Sequence, residues 1–354
     1  MKIALVALSY RPIHSKALGG IEAFTFKLAS EFHNRGHQVT LFGNADSKIP
    51  GKVVGITNGQ KLMREGWPLA DRLFVRKYVT FQLMAMLEAL RREDEFDIIH
   101  SNLAEWHYAF LLSDLSKKIV VTTHGTYTPK PDMEYILSKY KGPHMVNISQ
   151  FLIDSVFPKY NPRSLIYNGV NLDEYEYCEK KDDYYLWLGR ISPVKATKEA
   201  LEAAHKADVK LKVVGEADYQ DYFDDEVKPL FDKKREFLGP KFGREKIELI
   251  RKAKGLIFTT NWPEACPMTI LEALSCGTPV IGFDMGAVGE LIENNVSGYI
   301  VKGGDVSGIA KKMKEVDQID VRECRKRATK FSLDKMLDAY EAVYQKVINK
   351  NKLK

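Results

Sequence analysis

The sequence lacks most of what would tie it to a membrane, a disulfide scaffold or a bound metal. A membrane-spanning helix needs about 20 consecutive apolar residues. The nearest stretch, Tyr78 to Leu90, is shorter and is broken by Gln82 and Glu88. The four cysteines, Cys178, Cys266, Cys276 and Cys324, show neither the density of a disulfide framework nor the paired spacing of a zinc site. A reducing cytoplasm is the expected location. Met1 to Leu8 is too short and lacks the cleavage site of a signal peptide, so it reads as a first buried strand. There is no Asp-x-Asp, no phosphate loop ending in Gly-Lys-Ser/Thr, no nucleophile elbow and no His-Glu-x-x-His. Nucleotide hydrolysis on a phosphate loop, serine hydrolase chemistry and zinc proteolysis thereby lose their usual machinery.

What is present is enough for two hydrophobic cores. The 354 residues are 45% hydrophobic, more than one core of ordinary size requires. Short aliphatic runs alternate with helical patterns nearly throughout, which predicts parallel sheets covered by helices on both faces. In the first half the expected strands are Ile3–Ser9, Gln38–Gly43, Asp97–Ser101, Ile119–Thr123, His144–Ile148 and Ser164–Tyr167. The alternation restarts at Tyr185–Leu188, Leu211–Val214, Gly255–Thr259, Pro279–Phe283 and Tyr299–Val301. Between the halves runs a polar, charge-rich linker, Asp173 to Asp183. The expected division is residues 1–172 and 173–332, with a last helix from 333 whose apolar stripe is Met336, Leu337, Tyr340, Val343, Tyr344 and Val347.

Charge is uneven. Residues 1–172 carry 21 Lys and Arg against 15 Asp and Glu, and residues 173–354 carry 32 of each, so the net +6 lies wholly in the first half. The stretch Lys61 to Arg92 sets Trp67, Leu69, Leu73 and Phe74 among Arg64, Arg72, Arg76 and Lys77. An anionic partner for the first half is expected, a lipid phosphate or an acidic membrane surface.

The densest chemical signal runs from Asn261 to Pro279. A strand ends at Thr259-Thr260, a proline-containing turn follows, and a helix starts near Met268. Free backbone N–H groups there suit an anion, at the strand edge where open α/β sheets bind ligands. Glu264 lies on the loop and Glu272 one to two turns into the helix, so the two carboxylates can address different parts of one extended ligand. Arg190 and Lys195 follow a strand and can neutralise a diphosphate. Gly19-Gly20 permits a close backbone approach between the first strand and helix.

These residues resemble the retaining glycosyltransferase family 4. Glu264 and Glu272 have its seven-residue spacing, and Gly277-Thr278-Pro279-Val280 follows. Gly19-Gly20-Ile21-Glu22 looks like its glycine loop, Thr123-His124-Gly125 like its histidine motif, and Tyr167-Asn168-Gly169-Val170 like its domain-end motif. Leu188-Gly189-Arg190-Ile191-Ser192-Pro193-Val194-Lys195 resembles its phosphate segment, and Gly286-Ala287-Val288-Gly289-Glu290 its turn after the donor helix.

The resemblance implies a GT-B fold, two Rossmann-like domains facing a cleft, with the last helix returning to the first. It implies transfer of a sugar from a nucleoside diphosphate sugar to a hydroxyl acceptor with retention. UDP is favoured and GDP remains open. A sugar-nucleotide epimerase, a phosphorylase and a non-catalytic nucleotide-sugar-binding regulator are the alternatives. Glu264, His124, Arg190 and Lys195 are the implied catalytic residues. Gly19, Gly20, Gly215, Ala265, Cys266, Pro267, Met268, Thr269 and Glu272 complete the implied donor site, with Glu272 on the ribose. Neither metal nor other cofactor is implied, because Asp-x-Asp belongs to the other major glycosyltransferase architecture. Nucleic acid is not an expected partner; the acceptor is expected to be lipid-linked or anionic, with peripheral membrane contact through the first domain. Two positions depart from the family. Cys266-Pro267 replaces an aromatic-glycine pair, removing one N–H, and Ala196 follows Lys195 where glycine is common. His100 matches a less specific position, and His14, His33, His37, His107, His144 and His205 read as structural.

Overall fold

A computed structural model describes residues 1–8, 11–16, 19–57, 72–105, 107–125 and 130–352. Ser9, Lys61, Arg64, Trp67 and Leu69 lie outside the described residues, as do the side chains of Arg72, Leu73, Phe74, Arg76 and Lys77. The chain divides into two compact units, residues 1–167 with 337–354, and residues 168–336.

The first unit holds a seven-stranded parallel sheet. Its strands are β1 (Lys2–Val6), β2 (Gln38–Asn44), β3 (Lys52–Thr57), β4 (Ile98–Ser101), β5 (Ile119–Thr123), β6 (His144–Asn147) and β7 (Arg163–Leu165), in the order β3-β2-β1-β4-β5-β6-β7. The apolar runs follow from burial on both faces: β4, β5 and β6 are buried at every residue, as strands covered by helices must be. The edge strand β3 was not among the expected strands. Half of it is only partly buried and Lys52 and Gly55 are exposed, so its hydrophobic signal is weak.

The second unit repeats the plan with six parallel strands. They are β8 (Tyr185–Leu188), β9 (Leu211–Val214), β10 (Arg235–Phe237), β11 (Gly255–Phe258), β12 (Val280–Phe283) and β13 (Gly298–Val301), in the order β10-β9-β8-β11-β12-β13. The edge strand β10 was likewise not expected; its Glu236 and Phe237 are exposed. In both sheets the order reverses beside the first strand, which leaves a crevice at the C-terminal strand ends.

The boundary falls after Tyr167, ahead of the expected position at 172, for a local reason. Asn168 Nδ2 donates to the Cys266 carbonyl at 3.2 Å, Val170 N–H donates to the Phe331 carbonyl at 3.0 Å, and Gly169 N–H approaches Met336 Sδ at 3.1 Å. Residues 168–172 therefore belong with the second core.

The last helix, Leu333–Lys352, buries Met336, Leu337, Tyr340, Val343, Tyr344 and Val347. From Leu337 onward it belongs to the first unit. Tyr344 hydroxyl meets His100 Nδ1 at 2.6 Å, Tyr340 hydroxyl meets Thr122 Oγ1 at 2.9 Å, and Thr122 Oγ1 meets His100 Nε2 at 2.7 Å. Both nitrogens of His100 are thus engaged inside the core, and burial, with His124 nearby, lowers its pKa to about 3. His100 is a structural residue.

Candidate active site

Four of the expected donor segments meet at the C-terminal edge of the second sheet. After β8 the chain passes through Gly189 and Arg190 into a tight turn, Pro193–Lys195. Gly189 N–H donates to the Val214 carbonyl at 3.1 Å and Ile191 N–H to the Glu216 carbonyl at 2.8 Å, which runs this segment beside the end of β9. Gly215 has a steric reason to be glycine there: a Cβ would lie 1.7 Å from the Gly189 carbonyl oxygen.

The loop after β11 is laced to the same turn. Thr259 Oγ1 donates to the Ala196 carbonyl at 2.8 Å, Thr260 Oγ1 to the Val194 carbonyl at 3.2 Å, and Asn261 N–H to that carbonyl at 2.8 Å. Ala196 takes φ +52°, a left-handed conformation that explains why glycine suits the position.

This lacing brings Lys195 to Glu264. Lys195 Nζ pairs with Glu264 Oε1, the two side chains being 25% and 16% exposed. A partly buried pair of this kind cannot lose one member cheaply, since the other keeps its desolvation cost. Arg190 lies apart from it, 62% exposed, with Nη1 3.1 Å from Asp218 Oδ2. Each expected phosphate cation therefore holds a carboxylate of its own. The Glu264 backbone is fixed from the far side, where Ala287 N–H donates to its carbonyl at 2.8 Å. Gly286, at φ +64°, allows this: a Cβ would sit 2.3 Å from that carbonyl oxygen.

The helix Met268–Ser275 begins directly afterwards. Its N-cap, Pro267, is extended and supplies no side-chain acceptor; Ile270 N–H turns back to the Pro267 carbonyl at 3.3 Å, which leaves the N–H groups of Met268 and Thr269 at the positive end of the helix dipole. Ala265, Met268 and Thr269 are half-buried, while Cys266 and Pro267 are buried. Burial pushes the Cys266 thiol up to about 12, which keeps it protonated and removes it as a nucleophile. Further along the helix, Glu272 Oε1 accepts from Tyr175 hydroxyl at 2.7 Å and from Lys246 Nζ at 2.8 Å. Neither partner was marked by a motif.

His124, Gly19 and Gly20 lie in the first unit, His124 directly after β5 and the two glycines at the start of the helix Gly20–Asn34. His124 Nε2 is 3.2 Å from Asn102 Oδ1, and its ring meets Phe24 edge-on at 4.8 Å between centroids. Burial lowers its pKa to about 3, so the imidazole is neutral. Gly19 is the N-cap of the helix Gly20–Asn34. The Glu22 carboxylate folds over it, 1.9 Å from where a Cβ would be. A Cβ at Gly20 would meet nothing within 4 Å.

Two parallel Rossmann-like sheets, the second carrying a lysine–glutamate pair beside an open helix start, form the GT-B architecture of glycosyltransferases. The sequence matches family models across both units, Glycosyltransferase Family 4 over residues 18–174 and Glycosyl transferases group 1 over residues 176–331. The chain belongs to the family 4 type of glycosyltransferase and is an enzyme of that class. It is similar to N-acetyl-alpha-D-glucosaminyl L-malate synthase of Bacillus anthracis, 24% identical over 95% of this chain and 96% of that protein. It is also similar to phosphatidyl-myo-inositol mannosyltransferase of Mycobacterium leprae, 23% identical over 82% of each chain. The solved structure of Anabaena HepE in complex with UDP superposes with a TM-score of 0.74 at 17% identity, covering 98% of this chain and 100% of that one.

Proposed function

We propose that the protein transfers a sugar from a UDP-sugar to a hydroxyl acceptor with retention at the anomeric carbon, without a metal ion. The Lys195–Glu264 pair beside the uncapped Met268 helix carries this reading. A diphosphate arriving at the helix start offers Lys195 a stronger partner than one carboxylate, and Glu264 is then free for the hydroxyls of the sugar. As the bond from the anomeric carbon to the phosphate oxygen breaks, its electron pair stays on that oxygen. The acceptor oxygen bonds to the same face of the carbon, and its proton passes to the leaving phosphate. Lys195, Arg190 and the helix dipole stabilise the departing charge, the task a metal performs elsewhere. His124, neutral, holds a hydroxyl of the sugar or acceptor by hydrogen bonding.

Uridine is supported by the UDP in the HepE structure. A lipid-linked acceptor is supported by the likeness to a phosphatidyl-myo-inositol mannosyltransferase and by the positive surplus of the first half. Among the described residues no helix is long and apolar enough to cross a membrane, so the contact we propose is peripheral, at the inner face.

The test is a panel of UDP- and GDP-sugars with excess EDTA, the product anomer being read by NMR. Transfer with retained configuration is expected. Activity that vanishes with EDTA and returns with Mn²⁺ defeats the metal-free reading, and an inverted product defeats retention. Release of an epimerised sugar from donor alone defeats transfer. For the membrane, the protein should sediment with anionic vesicles at low salt, ignore neutral ones, and detach as ionic strength passes about 0.15 M. Equal sedimentation with both, or with neither, points to a soluble acceptor.

A further inference from the structure

We infer that Tyr175 and Lys246 aim Glu272 at the ribose of the donor and so set the preference for a ribonucleotide over its 2′-deoxy counterpart. The inference rests on the proposed donor site and on the ribose placement of Glu272 that the family resemblance implies.

A carboxylate on a flexible stem turns freely about its last torsion unless something holds one oxygen. Glu272 is held. Its Oε1 receives the Tyr175 hydroxyl at 2.7 Å and Lys246 Nζ at 2.8 Å, which fills both lone pairs of that oxygen. Oε2 accepts from no described residue, and it is not among the buried atoms left without a partner. One oxygen is therefore spoken for, and the other is open to an incoming pair of hydroxyls.

The two donors come from separate elements. Tyr175 sits on the segment that follows Tyr167, and Arg325 fixes its backbone. Arg325 Nη1 donates to the Tyr175 carbonyl at 2.8 Å and to the Ser275 carbonyl at 2.7 Å, and Nη2 to the Leu172 carbonyl at 3.0 Å. Cys178 N–H reaches the Cys276 carbonyl at 3.1 Å. The segment is thus strapped along the C-terminal end of the Glu272 helix. Lys246 comes from the helix Gly243–Lys252 and lies 5.5 Å from the centre of the Tyr175 ring. With Lys246 24% and Glu272 12% exposed, the pair sits at the border of the interior, where a fixed orientation is worth more than a solvated ion pair.

The competing account is that Lys246 and Tyr175 merely fasten two helices and the strap together. The accounts differ in what they do to a ratio. A fastening role changes affinity for every nucleotide alike, whereas an aiming role changes how much the 2′-hydroxyl contributes.

The experiment measures binding of UDP, GDP and their 2′-deoxy counterparts by calorimetry to the full-length wild type, Glu272→Ala, Tyr175→Phe, Lys246→Met and Lys246→Arg. The wild type should prefer the ribonucleotide by roughly tenfold or more, as one hydrogen bond to a charged group supplies. Tyr175→Phe and Lys246→Met should bring the preference to within about threefold of unity, and Lys246→Arg should retain most of it. If Glu272→Ala leaves both affinity and preference untouched, the ribose reading itself falls. If Glu272→Ala abolishes the preference while Tyr175→Phe and Lys246→Met keep it, this inference alone is overturned. Weaker binding of all nucleotides at an unchanged ratio assigns the pair a fastening role and overturns it equally.

Discussion

Replacing Gly286 by alanine tests how firmly the Glu264 loop is placed. The substitution forces an alanine to φ +64°, which costs about 1–2 kcal/mol. Its methyl would lie 2.3 Å from the Glu264 carbonyl oxygen and 2.5 Å from the Glu264 nitrogen, and relieving such crowding costs about 1–3 kcal/mol. The Ala287 to Glu264 hydrogen bond at 2.8 Å is strained or lost, about 1 kcal/mol more. The total is roughly 3–6 kcal/mol. Gly304→Ala provides the control, because φ there is +78° and nothing lies within 4 Å of the added carbon, so only the backbone cost of about 1–2 kcal/mol applies. Urea unfolding of both variants gives the difference, about 2–4 kcal/mol, which belongs to the contact with Glu264. Turnover should separate them further: a loop displaced by about 1 Å takes Glu264 off the reacting sugar and costs roughly 10²-fold, whereas Gly304→Ala should match wild type. If Gly286→Ala is no less stable than Gly304→Ala and turns over within about threefold of wild type, the loop is not held as described.

Lys195→Ala and Arg190→Ala should each lower kcat by roughly 10²-fold or more, the loss typical of one preorganised charge-stabilising group; steady-state rates within tenfold of wild type contradict this. Burial holds His100 and His124 at about 3 and His144 at about 4, Lys346 and Lys350 adding to the effect at His144, against about 6.5 in an unfolded chain. Below about pH 6.5 the unfolded state therefore binds more protons, and the stability of the first unit should fall as pH drops towards 4. Each ring contributes up to about 1.4 kcal/mol per pH unit, with no slope from them above pH 7. His100→Gln should remove one ring's share, and an unchanged slope of urea midpoint against pH contradicts the assignment. Ala196→Gly should change stability by no more than about 1 kcal/mol: relief of about 1–2 kcal/mol at φ +52° is offset by a lost buried methyl at about 0.8 kcal/mol and a freer unfolded chain. A urea-measured change above about 2 kcal/mol in either direction is inconsistent with that balance.

The interior strands and the Glu264–Glu272 helix start were legible because burial on both faces writes continuous aliphatic runs, and a Pro-bounded turn marks the helix. The edge strands β3 and β10 were not, since half-exposed backbone places little demand on its side chains. Lys195 with Glu264 was legible as two motifs, though their direct pairing and the separate Asp218 partner of Arg190 were not. Tyr175 and Lys246 escaped entirely. They stand 97 and 26 positions from Glu272, and no local period connects residues that meet only through tertiary folding.

The last helix sets the order in which the two cores are completed against the order in which the units are synthesised. The first unit is encoded first, yet its core includes Tyr340 and Tyr344, fully buried and bonded to Thr122 and His100. Until those tyrosines leave the ribosome, His100 and Thr122 have been made without them. The second unit is one uninterrupted stretch, residues 168–336, and domains fold as units during translation. The unit whose strands are made earlier is thus the one completed later, its core closed by residues that follow the whole of the second unit.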